Sequence, residues 1–142
     1  TRAATRFIGP ISFEAFAPGR VFQELFAPGQ DPLLHINLSK EYDLLLVAPA
    51  SADIIGKMAN GIADDLLSTL FCAFFRRVVV APAMNTHMLE NPAVVDNLAR
   101  LRGRGVEVIE AADGPLANLD SGRGRLPDSE TIYRFCMNGA RA

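Results

Sequence analysis

The chain has 142 residues, of which 49% are apolar, and a formal net charge of −2 at pH 7. This length suits one domain with a buried core, and the charge argues against a nucleic-acid-binding surface. Every apolar run is shorter than the roughly 18 residues that a membrane-spanning helix needs, and no signal peptide is recognisable. The sequence therefore predicts a single cytoplasmic domain, residues 1–142, that contacts neither nucleic acid nor membrane.

Predicted helices and strands alternate along the chain. Residues 2–16 are predicted to form an interrupted helix, 21–26 a short strand and 33–41 a helix. The remaining predicted elements are strand 43–48, helices 52–60 and 64–75, strand 77–81, helix 91–103, strand 106–110, a polar loop over 112–128 and helix 129–139. Such alternation with short connections is typical of an α/β domain.

Two of the predicted strands are continuously apolar. Residues 44–47 lead into Ala48-Pro49-Ala50-Ser51-Ala52-Asp53, and residues 78–80 lead into Ala81-Pro82-Ala83-Met84-Asn85. Continuous hydrophobicity is typical of strands buried on both faces, in a parallel sheet with helices on each side. Because ligands bind at the carboxyl ends of such strands, the two loops are predicted to form one site.

The start of the chain departs from the usual order of an α/β domain. Such a domain normally opens with a strand, whereas this chain opens with a predicted helix. Residue 1 therefore resembles the middle of a domain. Either a first strand–helix–strand unit is missing from this sequence, or the protein uses a smaller sheet.

The two cysteines, Cys72 and Cys136, lie far apart in apolar, helix-like segments. Their separation fits no spacing of metal ligands. We therefore expect both to be reduced core residues, and we expect no metal site.

Several motifs occur in an order that resembles a known family. They are Thr1-Arg2-Ala3-Ala4, His35-Ile36-x-Leu38, Ala48-Pro49-Ala50-Ser51-Ala52-Asp53, Ala59-Asn60-Gly61-Ile62-Ala63-Asp64-Asp65-Leu66-Leu67 and Ala81-Pro82-Ala83-Met84-Asn85-x-x-Met88. Together they resemble the flavin-containing cysteine decarboxylases, most closely the phosphopantothenoylcysteine decarboxylases of coenzyme A biosynthesis. The resemblance implies a flavodoxin/Rossmann-like three-layer sandwich with a parallel sheet. It also implies FMN as the cofactor, bound between the subunits of a homotrimer or a multiple of trimers.

The resemblance also implies roles for individual residues. The implied cofactor-binding residues are Thr1, Arg2, Ala3, Ser51, Ala52, Asp53, Ile54 and Ala83. The implied catalytic residues are His35 and Asn85, and the implied substrate-binding residues are Asn85, Met88 and Asn118. Residues 114–126 resemble the mobile flap that closes over the substrate in this family.

These residue types suit the decarboxylation of a cysteine. A flavin that oxidises the thiol-bearing carbon to a thioaldehyde supplies a sink for the electrons left when carbon dioxide departs. His35 would manage the thiol proton, because imidazoles exchange protons near neutral pH. Asn85 would hold the carboxylate with its amide donors. A helix that begins at residues 51–54 offers backbone donors to a polar or anionic cofactor.

Three positions depart from the family pattern. The sequence has Asp53 where Asn is usual, Leu89 where Trp is common, and Asn118 where the flap carries Cys. Asp53 cannot donate an amide hydrogen bond to a flavin carbonyl. The flap cysteine serves the final reduction of an enethiol intermediate in the family. We therefore hypothesise that this protein stops at the enethiol or completes the reduction by another route.

The sequence leaves more than one function open. The leading hypothesis is FMN-dependent oxidative decarboxylation of a cysteine carboxylate, most simply of 4'-phosphopantothenoylcysteine. A second is another flavoprotein of this fold, such as an enethiol-forming peptide-cysteine decarboxylase, a flavin prenyltransferase or a dipicolinate synthase subunit; His35 and Asn85 weigh against the prenyltransferase. A third is a non-catalytic regulatory homologue that binds partners through the trimer surface, which a colourless purified protein would favour.

Overall fold

The computed structural model describes residues 1–116 and 121–138. Its elements in chain order are a 3-10 helix Ala4–Arg6, α1 Ile11–Glu14, α2 Leu34–Glu41, β1 Leu44–Ala50, α3 Ala52–Asn60, α4 Leu66–Ala73, β2 Arg77–Pro82, α5 Thr86–Leu89, α6 Pro92–Gly103, β3 Glu107–Val108, β4 Ala112–Pro115, β5 Ser121–Arg125 and α7 Ser129–Asn138. Within these ranges, β1, β2 and β3 form a parallel sheet in that order, and β4 and β5 form an antiparallel hairpin.

The parallel sheet is the middle layer of three. Val78 and Val80 of β2 belong to a core that includes buried side chains of α3 and α6. Val79 and Ala81, which point to the other face, are buried with side chains of α7 such as Cys136. β2 is thus buried on both faces, as its continuous apolar sequence predicts. The α/β architecture is confirmed.

β1 differs from β2 because one of its faces is only loosely covered. Leu45 and Val47 are buried in the same core as β2, whereas Leu46 is 39% exposed and Ala48 is exposed. The N-terminal segment faces this side of the strand but leaves a cavity of about 390 Å³. The predicted burial of β1 on both faces is therefore wrong. β1 is the edge strand of the described sheet, and an edge strand packs fewer neighbours.

The N-terminal 33 residues contain little regular structure. The predicted helix over 2–16 is present only as the 3-10 helix and α1, and the predicted strand over 21–26 is wrong. A strand forms only where a neighbour pairs with its backbone, and no described strand pairs with this segment. Phe7, Phe16 and Phe26 are 91%, 90% and 76% exposed, so this segment presents an apolar surface to solvent.

From residue 33 onward the predicted elements are present, with three differences. The short helix α5 lies between the predicted strand 77–81 and the predicted helix 91–103, where the sequence predicts no element. The third strand is shorter than predicted, since β3 has only two residues. The segment predicted as a polar loop over 112–128 contains β4 and β5. Those strands are rich in Gly and Arg and lack the β-branched residues that usually indicate a strand. Of the two cysteines, Cys136 is buried as expected, while Cys72 is exposed on α4.

Arg77, the first residue of β2, fastens α7 to the sheet. Its guanidinium binds both carboxylate oxygens of Glu107 on β3, at 2.7 and 2.9 Å. It also donates to the carbonyls of Phe135 and Cys136 near the end of α7. The Arg77 hydrogen bond holds the pKa of the Glu107 carboxyl below its usual value, against the opposing effect of burial. One arginine therefore joins two strands and the helix behind them.

Candidate active site

The two small-residue loops predicted from the sequence lie side by side. β1 and β2 run parallel, with Ala50 opposite Pro82 at their carboxyl ends. Just beyond them, the amide of Ala83 donates to the carbonyl of Ala50 at 3.0 Å. The loop that begins at Ser51 and the loop that begins at Ala83 therefore share one edge of the sheet, where ligands of parallel α/β domains bind.

The first loop ends in the N-terminus of α3. Ser51 is the N-cap, and its Oγ accepts from the amide of Ile54 at 3.5 Å. Ile54 is 4% exposed and orients the helix against the core, while Ser51 and Asp53 are exposed. The amides of the first helical turn have no intrahelical acceptor, and they form the positive end of the helix dipole. This loop can therefore donate hydrogen bonds to a polar or anionic group.

Asp53 is turned toward a lysine on the next turn of α3. Its carboxylate lies 3.4 Å from Nζ of Lys57, which also contacts Asp64 at 3.0 Å and Asp65 at 3.2 Å. The hydrogen bond that the Lys57 ammonium donates to the Asp64 carboxylate is the main reason that the pKa of Lys57 is raised. Lys57 thus has two further carboxylate partners, and its position does not depend on Asp53.

The second loop leads into the short helix α5. Asn85 is its N-cap, and the Oδ1 atom accepts from the amide of His87 at 2.9 Å. This bond fixes the Asn85 side chain and directs its oxygen inward to the helix, so the amide nitrogen is the atom that can donate to a ligand. Met88 lies on α5 and is 48% exposed, as an outward-facing residue of this helix.

The β4–β5 hairpin packs onto the second loop. The amide of Met84 donates to the carbonyl of Gly124 at 3.0 Å, and Oγ1 of Thr86 donates to the carbonyl of Arg123 at 2.8 Å. A Cβ at Gly122 would lie 2.7 Å from Oγ1 of Thr86. The glycines of β5 are therefore what permits this close approach of two backbones.

A cavity of about 340 Å³ lies between the loop and the hairpin. Its wall includes Ala83, Met84 and Asn85 from the loop, and Leu116, Arg125 and Leu126 from the hairpin side. The cavity is mostly apolar and contains one amide and one guanidinium. A small ligand with an apolar body and polar ends suits such a lining.

His35 lies on a different element. It is half-buried in the first turn of α2, a helix that packs against α4, and it does not line the cavity beside Asn85. Its Nδ1 atom is buried without a hydrogen-bond partner among the described residues. Buried polar atoms are nearly always hydrogen-bonded, so an unpartnered imidazole nitrogen calls for an explanation.

Of the first three residues, Thr1 lies beside β1. Thr1 lines the 390 Å³ cavity together with Ala48 and Pro49, near the carboxyl end of that strand. Its Oγ1 accepts from the amide of Ala4 at 3.3 Å, while Arg2 and Ala3 are exposed. The structure thus brings Thr1 toward the Ser51 loop. Asn118 lies outside the described residues.

Arg125 and the two glycines before it lie within the predicted flap over residues 114–126, but none of them has a predicted role of its own. The segment Gly122-Arg123-Gly124-Arg125 carries the usable signal, because alternating glycines indicate a close approach of backbones. Within the described ranges no cluster of His, Cys, Asp and Glu could hold a metal ion. In the same part of the chain, no helix combines the length and apolarity needed to cross a bilayer.

Known proteins are similar to this chain over most of its length. The coenzyme A biosynthesis bifunctional protein CoaBC of Mycobacterium tuberculosis (strain ATCC 25618 / H37Rv) is 45% identical over 132 residues, which is 93% of this chain and 31% of that protein. The chain therefore spans about a third of the length of the curated relatives it matches.

The chain is also similar to solved structures. A PPC decarboxylase variant complexed with pantothenoylaminoethenethiol has a TM-score of 0.77 and 34% identity, covering 82% of this chain and 65% of that one. SpaF, an FMN-dependent cysteine decarboxylase, has a TM-score of 0.78 and 29% identity, covering 98% of this chain and 75% of that one. The fold is thus Rossmann/flavodoxin-like. The family model described as Flavoprotein matches residues 1–140, and the chain belongs to that family.

Proposed function

We propose that this chain is a single FMN-binding domain that decarboxylates a cysteine carboxylate. The most economical substrate is 4'-phosphopantothenoylcysteine, converted to phosphopantetheine during coenzyme A biosynthesis in the cytoplasm. The observation that carries the proposal is the joint edge formed by the Ser51 and Ala83 loops in a member of the Flavoprotein family. The names of CoaBC and of the PPC decarboxylase structure support the choice of substrate.

The residues at the sheet edge fit FMN. The first turn of α3 offers backbone donors, and the exposed small residues before it allow a flat ring to approach the backbone. When bound, FMN supplies an electron sink for the carbon that loses the carboxylate. We assign its binding to Thr1, Arg2, Ala3, Ser51, Ala52, Asp53, Ile54 and Ala83.

The remaining site residues would orient the substrate and move a proton. The amide nitrogen of Asn85 would donate to the substrate carboxylate, in an orientation that the cap on His87 favours. The hairpin would exclude water from the cavity, and Met88 and Asn118 would contact the substrate. His35 would exchange the thiol proton, because an imidazole exchanges protons near neutral pH.

We further propose a homotrimer or a multiple of trimers. The exposed phenylalanines of the N-terminal segment support a covered surface there, because monomeric proteins rarely leave large apolar patches in water. Analytical ultracentrifugation of the FMN-loaded protein tests this assembly, and a monomer at micromolar concentration would contradict it.

The enzymatic proposal is tested with the purified protein and FMN. Flavin absorbance that remains with the protein after gel filtration, followed by release of carbon dioxide from 4'-phosphopantothenoylcysteine, is the expected result. A protein that stays colourless after addition of FMN would contradict the proposal and favour a regulatory homologue. Retained flavin without decarboxylation would instead favour another flavoprotein reaction of this fold.

A second candidate function is a decarboxylation whose final product is the enethiol. Asn118 stands where the related flap carries a cysteine, and an amide cannot take part in the final reduction. SpaF, named as a cysteine decarboxylase, shares the fold. Mass spectrometry of the product decides between the two: the saturated thiol carries two more hydrogens than the enethiol.

A further inference from the structure

Arg125 is the charged side chain of the cavity beside Asn85. It is the last residue of β5, and its side chain lies across β4 at Gly114. A Cβ built on Gly114 would lie 2.8 Å from Nη1 and 3.0 Å from Cδ of Arg125. Glycine at position 114 therefore makes the room that lets this side chain lie along the hairpin.

Arg125 differs from Arg123, the arginine two positions earlier on the same strand. Residues two apart share a face of a regular strand, but a register irregularity interrupts the pairing here, and the two arginines line different cavities. Arg123 binds Glu110, which also holds Arg102 at 2.7 Å. Among the described residues, Arg125 forms neither an ion pair nor a side-chain hydrogen bond. A guanidinium keeps its charge at every working pH and presents a fork of donors that suits phosphate and carboxylate groups.

The charge of Arg125 and the loss of the substrate carboxylate in the proposed reaction together favour an anion that keeps its charge. A cation bound to the departing carboxylate would stabilise the substrate more than the transition state, in which that charge is being lost, and would slow the reaction. An anion that keeps its charge throughout can be bound without this penalty. We propose that Arg125 binds the phosphate of the substrate, which leaves Asn85 for the carboxylate; this inference rests on the proposed function.

The test measures the preference for a phosphorylated substrate. For FMN-loaded wild type, R125Q, R125K and R123Q, kcat/KM is determined with 4'-phosphopantothenoylcysteine and with pantothenoylcysteine. The ratio of the two values is expected to fall by about 10- to 100-fold in R125Q, since hydrogen bonds between charged groups are worth about 1.5–3 kcal/mol. R125K keeps the positive charge but loses the forked set of donors. Its ratio is therefore expected to lie between those of the wild type and R125Q.

R123Q is the matched control. It removes the same charge from the same strand, so it reproduces any general loss of attraction for an anionic substrate. Its ratio is expected to equal that of the wild type. An R125Q ratio equal to the wild-type ratio, or a ratio that falls as far in R123Q, would overturn the inference.

Two binding measurements separate this inference from its alternatives. The affinities for FMN and riboflavin are compared in wild type and R125Q; a loss of FMN affinity alone would assign Arg125 to the cofactor phosphate and overturn the inference. If the wild type decarboxylates neither substrate, the proposed function fails. Calorimetry with 4'-phosphopantothenate and pantothenate then still tests Arg125: a wild-type preference for the phosphorylated ligand that R125Q loses supports the inference, and its absence in the wild type overturns it.

Discussion

The amide of Met84 donates to the carbonyl of Gly124 at 3.0 Å, which fixes the β4–β5 hairpin to the loop that follows β2. The contact depends on the absence of a side chain. Gly124 has a φ of +153°, and a Cβ there would lie 2.1 Å from the carbonyl oxygen of Met84. The hairpin can therefore keep this contact beside the cavity only while residue 124 is glycine.

Replacement of Gly124 by alanine is expected to release the hairpin without unfolding the sheet. Strain and the lost contact together should lower the free energy of unfolding by about 1–3 kcal/mol. The substrate KM should rise, because the hairpin no longer closes the cavity. Thermal denaturation and steady-state kinetics measure the two effects. Gly103→Ala is the control, since nothing lies within 4 Å of its Cβ position; an unchanged KM in Gly124→Ala would refute the role of the hairpin.

Replacement of Asp53 by asparagine is expected to tighten FMN binding. The change provides an amide donor at the N-terminus of α3, and Lys57 keeps its contacts with Asp64 and Asp65. A neutral hydrogen bond contributes about 0.5–1.5 kcal/mol, which corresponds to a Kd lower by roughly 2- to 10-fold. Quenching of flavin fluorescence on titration gives the Kd. Weaker binding in Asp53→Asn would mean that the carboxylate itself contributes to the site.

Replacement of His35 by glutamine is expected to reduce kcat by about 10²- to 10⁴-fold, the usual contribution of a general acid or base. The Kd of FMN should stay the same, because the substitution removes proton exchange and keeps a polar side chain of similar reach. His87→Gln is the matched control, since His87 is exposed on α5. A kcat that falls equally in both variants, or in neither, would remove His35 from the mechanism.

The ion pair of Glu107 with Arg77 is expected to make stability depend on pH in the acid range. The pKa of Glu107 is lowered in the folded protein, chiefly by the Arg77 hydrogen bond. Its contribution is therefore complete above the ordinary glutamate value of about 4.3 and is lost as the pH falls through the lower folded value. Urea denaturation of wild type and Glu107→Gln should show a difference at pH 7 that shrinks toward pH 3. A difference that grows on acidification would contradict this assignment.

The strongest predictions from the sequence concern segments whose pattern determines their surroundings. The apolar run of β2 implies burial on both faces, and Val79 and Val80 are fully buried. The shared edge of the Ser51 and Ala83 loops follows from parallel pairing alone. Both features depend on local residues and on the general geometry of α/β domains, so a single sequence is sufficient to predict them.

The wrong predictions concern segments whose structure depends on contacts with residues far away in the sequence. Residues 21–26 have the composition of a strand but lack a neighbouring strand among the described residues. The β4–β5 hairpin has the composition of a loop and owes its pairing to contacts with Met84 and Thr86, about 40 residues earlier in the chain. Arg125 reaches the cavity because Gly114 makes room for its side chain. No sequence motif indicates that these two residues are in contact.

The bond between Ala83 and Ala50 joins backbone atoms only. Substitutions at neighbouring positions such as Asn85 and Met88 therefore change the chemistry presented to a ligand while the two strand ends keep their spacing. Selection can in this way change which ligand the site binds without changing the backbone that forms the site. Divergence of specificity within one architecture becomes a matter of exchanging a few side chains around an unchanging main-chain frame.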